Sequence, residues 1–184
     1  MDATAVCYIH CKKMPLRSSY AVFILILLLS CQEDAVAPIK EPNPLMGYLV
    51  SFLEEAEKRG VEIDTTGMTL ELSGPLYWKD SQGQSKQVCG LGGLGPNLNP
   101  SVRISNVGGC WTLRDYFYRK ELLFHEFGHA FLRRGHDNDN LPNGSKRSVM
   151  SEAIGSVFTQ NETKLKYYID ELFDPSTPIP DWAK

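Results

Sequence analysis

The sequence lacks a surplus of positive charge. Nineteen Lys and Arg face 22 Asp and Glu, for a formal net charge of −3. Nucleic-acid binding favours a basic footprint, so this balance argues against a nucleic-acid partner. The chain also lacks the compositional bias of a fibre or a wholly disordered polymer, and no internal repeat is visible. Its N-terminal apolar run, Ala21–Leu29, is too short to span a bilayer as a helix. What the 184 residues do provide is enough chain for one domain with a sizeable core.

Lys12, Lys13 and Arg17 precede that short run, and basic residues before an apolar stretch of this length form the pattern of a signal peptide. The run ends in Leu28-Leu29-Ser30-Cys31, which resembles the lipobox of bacterial lipoproteins: a small residue, then the cysteine that becomes the lipidated N-terminus. The resemblance implies a signal peptide over residues 1–30 and a lipidated Cys31. It also implies an outer-membrane lipoprotein of a bacterial cell envelope, with the membrane a partner through the lipid. Without the resemblance, Cys31 is incidental to a standard signal peptide. Met14 is an alternative start, because the residues before it add nothing a signal peptide needs. Glu33 and Asp34 resemble the acidic surface-export signal of some Bacteroidetes lipoproteins. Removing residues 1–30 takes away Lys12, Lys13, Arg17 and Asp2, a net +2, so −3 becomes −5.

Of five cysteines, Cys7 and Cys11 fall in the signal peptide and Cys31 at its end, leaving Cys89 and Cys110. In an oxidising envelope compartment an even pair reads as a disulfide; the alternative is two buried free thiols. Residues 31–43 carry Ala, Pro and Glu without periodicity and read as a tether. A first helix follows, with Asn43 as cap, Pro44 at its first position, Lys58 and Arg59 in its last turn and Gly60 ending it. Leu45, Tyr48, Leu49, Phe52 and Ala56 give it an apolar face. Met68–Leu72 alternates as a strand. Leu76–Trp78 and Lys86–Cys89 read as a hairpin about Ser81-Gln82-Gly83. Gly90–Pro100, rich in glycine, reads as a loop, and Ser101–Ser105 as a strand.

Thr112 and Asp115 have the spacing of a capping box, and a helix is expected from about Leu113 to Arg134, with Gly135 as its left-handed cap. It carries Leu113, Tyr116, Phe117, Leu123, Phe124, Phe127 and Phe131 at helical spacing. It also carries His125-Glu126-Phe127-Gly128-His129, an H-E-x-x-H string. Residues four apart lie on one helix face, so His125 and His129 can hold one Zn²⁺ while Glu126 activates a water. A zinc hydrolase needs three protein ligands and an open position. His136, just past Gly135, is the best third candidate. A last helix is expected from near Thr159 or Asn161 to Phe173. Its Glu162, Lys164, Asp170 and Glu171 read as a solvated face.

The run His125–Met150 resembles the metzincins, zinc metallopeptidases with the pattern H-E-x-x-H-x-x-G-x-x-H and a methionine-containing turn below the metal. His125, Glu126 and His129 match the first half, and Ser148-Val149-Met150 resembles the Ser-Ile-Met turn. Leu132 stands at the glycine position and Gly135 where the third His is expected, so His136 lies one residue late. Resemblance to other zincins leaves Asp137 and Glu152 as alternative third ligands. It implies an α/β (α+β) zincin-like domain over residues 44–184: a small mixed sheet backed by two helices, an active-site helix, and a small C-terminal helical part. Zn²⁺ is the implied cofactor, Glu126 the general base, Met150 a hydrophobic floor, and peptides or proteins the substrates. Ser101–Ser105 is the expected edge strand beside the cleft, and Tyr167 and Tyr168 are candidates to stabilise an oxyanion. A monomer is expected. The rival readings are a non-catalytic, zinc-stabilised binding lipoprotein, which a closed fourth ligand such as Asp137 would favour, and an amidase of cell-wall peptides. No segment between Cys31 and the first helix carries a metal-blocking cysteine, so no latency of that kind is expected.

Overall fold

The structure is a computed structural model that describes residues 43–184. The expected signal peptide, Cys31 and all of the tether but Asn43 lie outside the described residues. The described part is mixed α/β. In chain order it contains α1 (Met46–Glu57), β1 (Thr69–Ser73), β2 (Leu76–Lys79), β3 (Ser85–Val88), β4 (Gly90–Leu94), β5 (Pro100–Ser105), α2 (Tyr116–Phe131) and α3 (Glu162–Phe173). Among the described residues, no helix is long and apolar enough to cross a membrane.

β1, β5 and β4 form a three-stranded mixed sheet in that order, with β5 parallel to β1 and antiparallel to β4. β2 and β3 pair as a separate antiparallel hairpin, as the turn residues between them led one to expect. Two expectations fail here. Gly90–Pro100 is not one loop, because Gly90–Leu94 is β4; and Ser101–Ser105 is not at the edge, because β5 is central. The reason for both is how close β4 lies to α2. A Cβ at Gly92 would sit 2.1 Å from the backbone oxygen of Glu126, and one at Gly90 would sit 2.2 Å from Oε1 of Glu126. The glycines are not turn formers here. They let a strand press its backbone on a helix.

α2 is wrapped by the rest of the fold: nine consecutive residues, Lys120 to Gly128, are buried. Such a helix shows no polar stripe in its middle, because it has no solvent face there. Phe52 of α1 packs on Phe124, Phe127 and Phe131 of α2 and on Phe173 of α3, with ring centroids 5.1–5.9 Å apart. This aromatic hub joins all three helices. α1 starts a little later than expected: Asn43 caps the turn before it, its Oδ1 accepting from Leu45 N–H. Its Nδ2 donates to Leu70 C=O and ties that turn to β1.

α2 is shorter at both ends than its pattern suggested. Asp115, not Thr112, is the cap, accepting from Tyr118 N–H. Leu113 lies before the helix and is exposed. At the other end the helix stops at Phe131, and Arg133 rather than Gly135 takes the left-handed conformation, at φ 56°. Cys89 and Cys110 are joined in a disulfide that ties the start of β4 to the segment leading into α2. α3 begins after Asn161, one of the two expected starts, and the Asn161 side chain caps it by accepting from Lys164 N–H.

The fit of β4 on α2 sets a test. Gly92→Ala should lower the free energy of unfolding by about 2–3 kcal/mol, the cost of overpacking against backbone that cannot yield. Gly93→Ala meets nothing within 4 Å and should stay within about 0.5 kcal/mol of wild type in the same urea titration.

Candidate metal centre

His125 and His129 stand one above the other on α2, and His136 returns to them after the helix has ended. The Nε2 atoms of His125 and His129 are 3.0 Å apart, and those of His129 and His136 are 3.2 Å apart. Ligand atoms of all three lie within 4.8 Å of one another. His125 is buried, His129 half-buried and His136 exposed.

Each ring has its other nitrogen occupied. His125 Nδ1–H donates to the Val149 carbonyl at 2.9 Å, and His129 Nδ1–H donates to the Arg134 carbonyl at 2.7 Å. A carbonyl can only accept, so these bonds fix the proton on Nδ1 and leave a lone pair on Nε2. His136 Nδ1 faces Glu152 Oε1 at 3.3 Å. Two lone pairs then face each other at 3.0 Å with no proton between them, an arrangement that a cation resolves. Zinc–nitrogen bonds of about 2.0–2.1 Å at tetrahedral angles hold their nitrogens about 3.3–3.4 Å apart, close to the spacing found. The donor set fits a divalent metal ion.

Burial pushes His125 down to about 3, with the neighbouring His129 and His136 adding to the fall and the Val149 carbonyl opposing it. Burial likewise lowers His129. Both imidazoles are therefore neutral at physiological pH, the state in which they bind metals. Glu126, between them in sequence, is buried against β4. Burial pushes its carboxyl up to about 8, and the backbone N–H of Gly92 pulls the other way. A divalent charge held next door would also favour the carboxylate.

The Ser148-Val149-Met150 segment is a tight turn, closed by Ser151 N–H to the Ser148 carbonyl. Its Val149 carbonyl orients His125, and its Met150 carbonyl accepts from Asp137 N–H. Met150 is fully buried, and its Sδ lies 2.5 Å from where a Cβ on Gly128 would be, so it fills the space against α2 at Gly128.

The alternative ligands are placed elsewhere. The Asp137 carboxylate accepts from Asp139 N–H in its own turn, and Glu152 stands behind His136, on the ring nitrogen that faces away from the cluster. Among the described residues no carboxylate joins the three imidazoles. Tyr167 and Tyr168 are not free to meet a substrate oxygen. Both are buried, and their hydroxyls donate to the carbonyls of Arg147 and Lys146.

Two residues escaped the sequence reading. Glu171, taken for part of a solvated face, is fully buried and bonded to Arg134 and Ser148. Its neighbours Tyr167, Tyr168 and Leu172 lie four, three and one residue away on the apolar side, a signal that could have placed it inward. Glu121, one turn before His125, accepts from the backbone N–H groups of Gly155, Ser156, Val157 and Phe158 and ties that loop to α2.

Compared with protein-family models, curated proteins and solved structures, the chain matches none.

The three rings differ from their surroundings in a measurable way. His136→Ala should weaken Zn²⁺ binding by more than about 100-fold. Glu152→Ala, which removes only an exposed partner of that ring, should cost about tenfold, the mild end for such partners. Equilibrium dialysis against buffered Zn²⁺ reads both. Full binding in His136→Ala with loss in Glu152→Ala would reverse the two roles.

Proposed function

We propose that the chain is a zinc-dependent metallopeptidase, similar to metzincins in its site and held at a bacterial envelope by a lipid on Cys31. The observation that carries the reading is the convergence of three imidazole Nε2 atoms, two with Nδ1–H donated to backbone carbonyls, beside a buried carboxylate. Zn²⁺ is favoured over other ions by three imidazole nitrogen donors in a near-tetrahedral spacing with a fourth position left for water or substrate.

Bound there, Zn²⁺ would supply Lewis acidity, polarising a scissile carbonyl and acidifying a water. Glu126 would take the proton from the attacking water and deliver it to the leaving amine nitrogen. Its burial suits that role once a divalent ion is bound: burial raises the basicity of the carboxyl, and the neighbouring charge would keep it ionised and able to accept a proton. Glu152 would steady His136, as the Val149 and Arg134 carbonyls steady the other two rings. The substrate class rests on β4. It is an edge strand, it carries glycines that let a backbone come close, and it lies directly on Glu126. An extended peptide added along that edge would run past the general base. Binding without catalysis is the weaker reading, because Asp137, which would close the fourth position, is held in its own turn.

Glu126→Gln separates the readings. It should retain Zn²⁺ while peptide hydrolysis falls by about 10²–10⁴-fold, the usual share of a general base. Mixed peptides incubated with wild-type protein, with and without chelator, provide the assay. Zinc uptake by wild type with no chelator-sensitive cleavage would favour the binding lipoprotein instead.

A further inference from the structure

The two carbonyls that orient His125 and His129 belong to separate segments, one just past α2 and one in the Ser148–Ser151 turn. Glu171 of α3 joins them. Its Oε1 accepts from Arg134 Nη2 at 2.6 Å, and its Oε2 accepts from Ser148 Oγ–H at 2.6 Å. Arg134 also donates through Nη1 to the carbonyls of Glu171 and Leu172, so its side chain is fastened at three points to one end of α3. Ser148 in turn accepts Met150 N–H on the same Oγ, at 2.9 Å, which shapes the turn around Val149.

We propose that Glu171 is a positioning residue for the metal centre. It touches none of the histidines. It holds the residue whose carbonyl fixes the His129 tautomer, and the turn whose carbonyl fixes that of His125. A carboxylate suits this place because it has two acceptor oxygens and a charge to match the half-buried guanidinium. A neutral isostere has one acceptor fewer and no charge. The likeness to Glu121 ends at burial: that carboxylate accepts from the backbone N–H groups of residues 155–158, and the carbonyls that the histidines bond to belong to Val149 and Arg134 instead. The proposal rests on the three histidines holding a divalent ion, and not on the reaction carried out there.

The test uses the full chain as wild type, Glu171→Gln, Ser148→Ala and Glu121→Gln. Zn²⁺ affinity is read by competition with a chromogenic chelator. Ring tautomers are read from histidine ¹⁵N shifts of the metal-free protein. Glu171→Gln should weaken Zn²⁺ binding about 10–100-fold, as loss of an outer partner does, and should mix the tautomers of both His125 and His129. Ser148→Ala should weaken it in the same direction and disturb His125 alone. Glu121→Gln should lower the melting temperature but leave affinity and tautomers near wild type. Wild-type affinity and tautomers in folded Glu171→Gln would overturn the proposal, as would an equal loss of affinity in Glu121→Gln. If Glu171→Gln does not fold, Ser148→Ala decides: an unchanged His125 overturns the proposal. Wild-type protein that takes up no Zn²⁺ would sink the metal reading itself, a different outcome from parity between variant and wild type.

Discussion

Two backbone carbonyls decide what the histidines can do. An imidazole on a helix can turn its ring, and either nitrogen can carry the proton. The Val149 and Arg134 carbonyls remove that freedom by accepting from Nδ1. What is left at Nε2 is a lone pair with a fixed direction. Without these two bonds, H-E-x-x-H would be a pair of histidines on a helix. With them it is half of a donor set. The rest of the fold can be read as the means of holding those carbonyls still.

The means are mostly on α3. Tyr168, Tyr167 and Glu171 bind Lys146, Arg147 and Ser148 in turn, so successive residues of the incoming segment are pinned to one helix face. Burial pushes the Tyr168 hydroxyl up to about 12, so it is a proton donor throughout the physiological range. The Arg134–Glu171 pair then fastens the segment after α2 to that same helix. A buried ion pair is a poor source of net stability, because desolvation offsets most of the attraction. Its value here is geometric: it specifies where two loops stop.

Local chemistry was legible in the sequence, and long-range burial was not. The four-residue spacing of His125 and His129 is a property of any helix, and the helix was marked by its aromatics. The β2–β3 hairpin was marked by its turn residues. The start of α3 was placed near Thr159 or Asn161, and the cap is Asn161. Gly90–Leu94 was missed because glycine has two uses, bending a chain and thinning it, and the sequence does not distinguish them. Only the position of Glu126 explains why thinness was needed. Glu171 was missed because charge on an amphipathic helix usually means solvent, and its partners Arg134 and Ser148 are 37 and 23 residues away. The ends of α2 differ from expectation for two reasons: the apolar pattern begins at Leu113, before the residues that are helical, and Arg133, not Gly135, takes the left-handed conformation.

The position of His136 shows how far a tertiary constraint can override spacing. On a continuous helix its Cα would lie about 10 Å along the axis from that of His129, at 1.5 Å per residue. The chain instead leaves the helix after Phe131, and Arg133 adopts a left-handed backbone that costs a non-glycine residue about 1 kcal/mol or more. Gly135 is two residues away and would have taken that conformation more cheaply. Placing the reversal at Gly135 would extend the helix and move the Arg134 carbonyl off His129. It would also move the Arg134 side chain away from Glu171. The strained residue therefore stands where the ligand geometry demands a turn, and the bonds made by Arg134 on one side and by Asp137 N–H to Met150 on the other hold it there. A spacing one residue longer than the metzincin pattern it resembles is accommodated by where the helix stops, so the register of the third histidine is set by the contacts of its neighbours and not by its own distance from the motif.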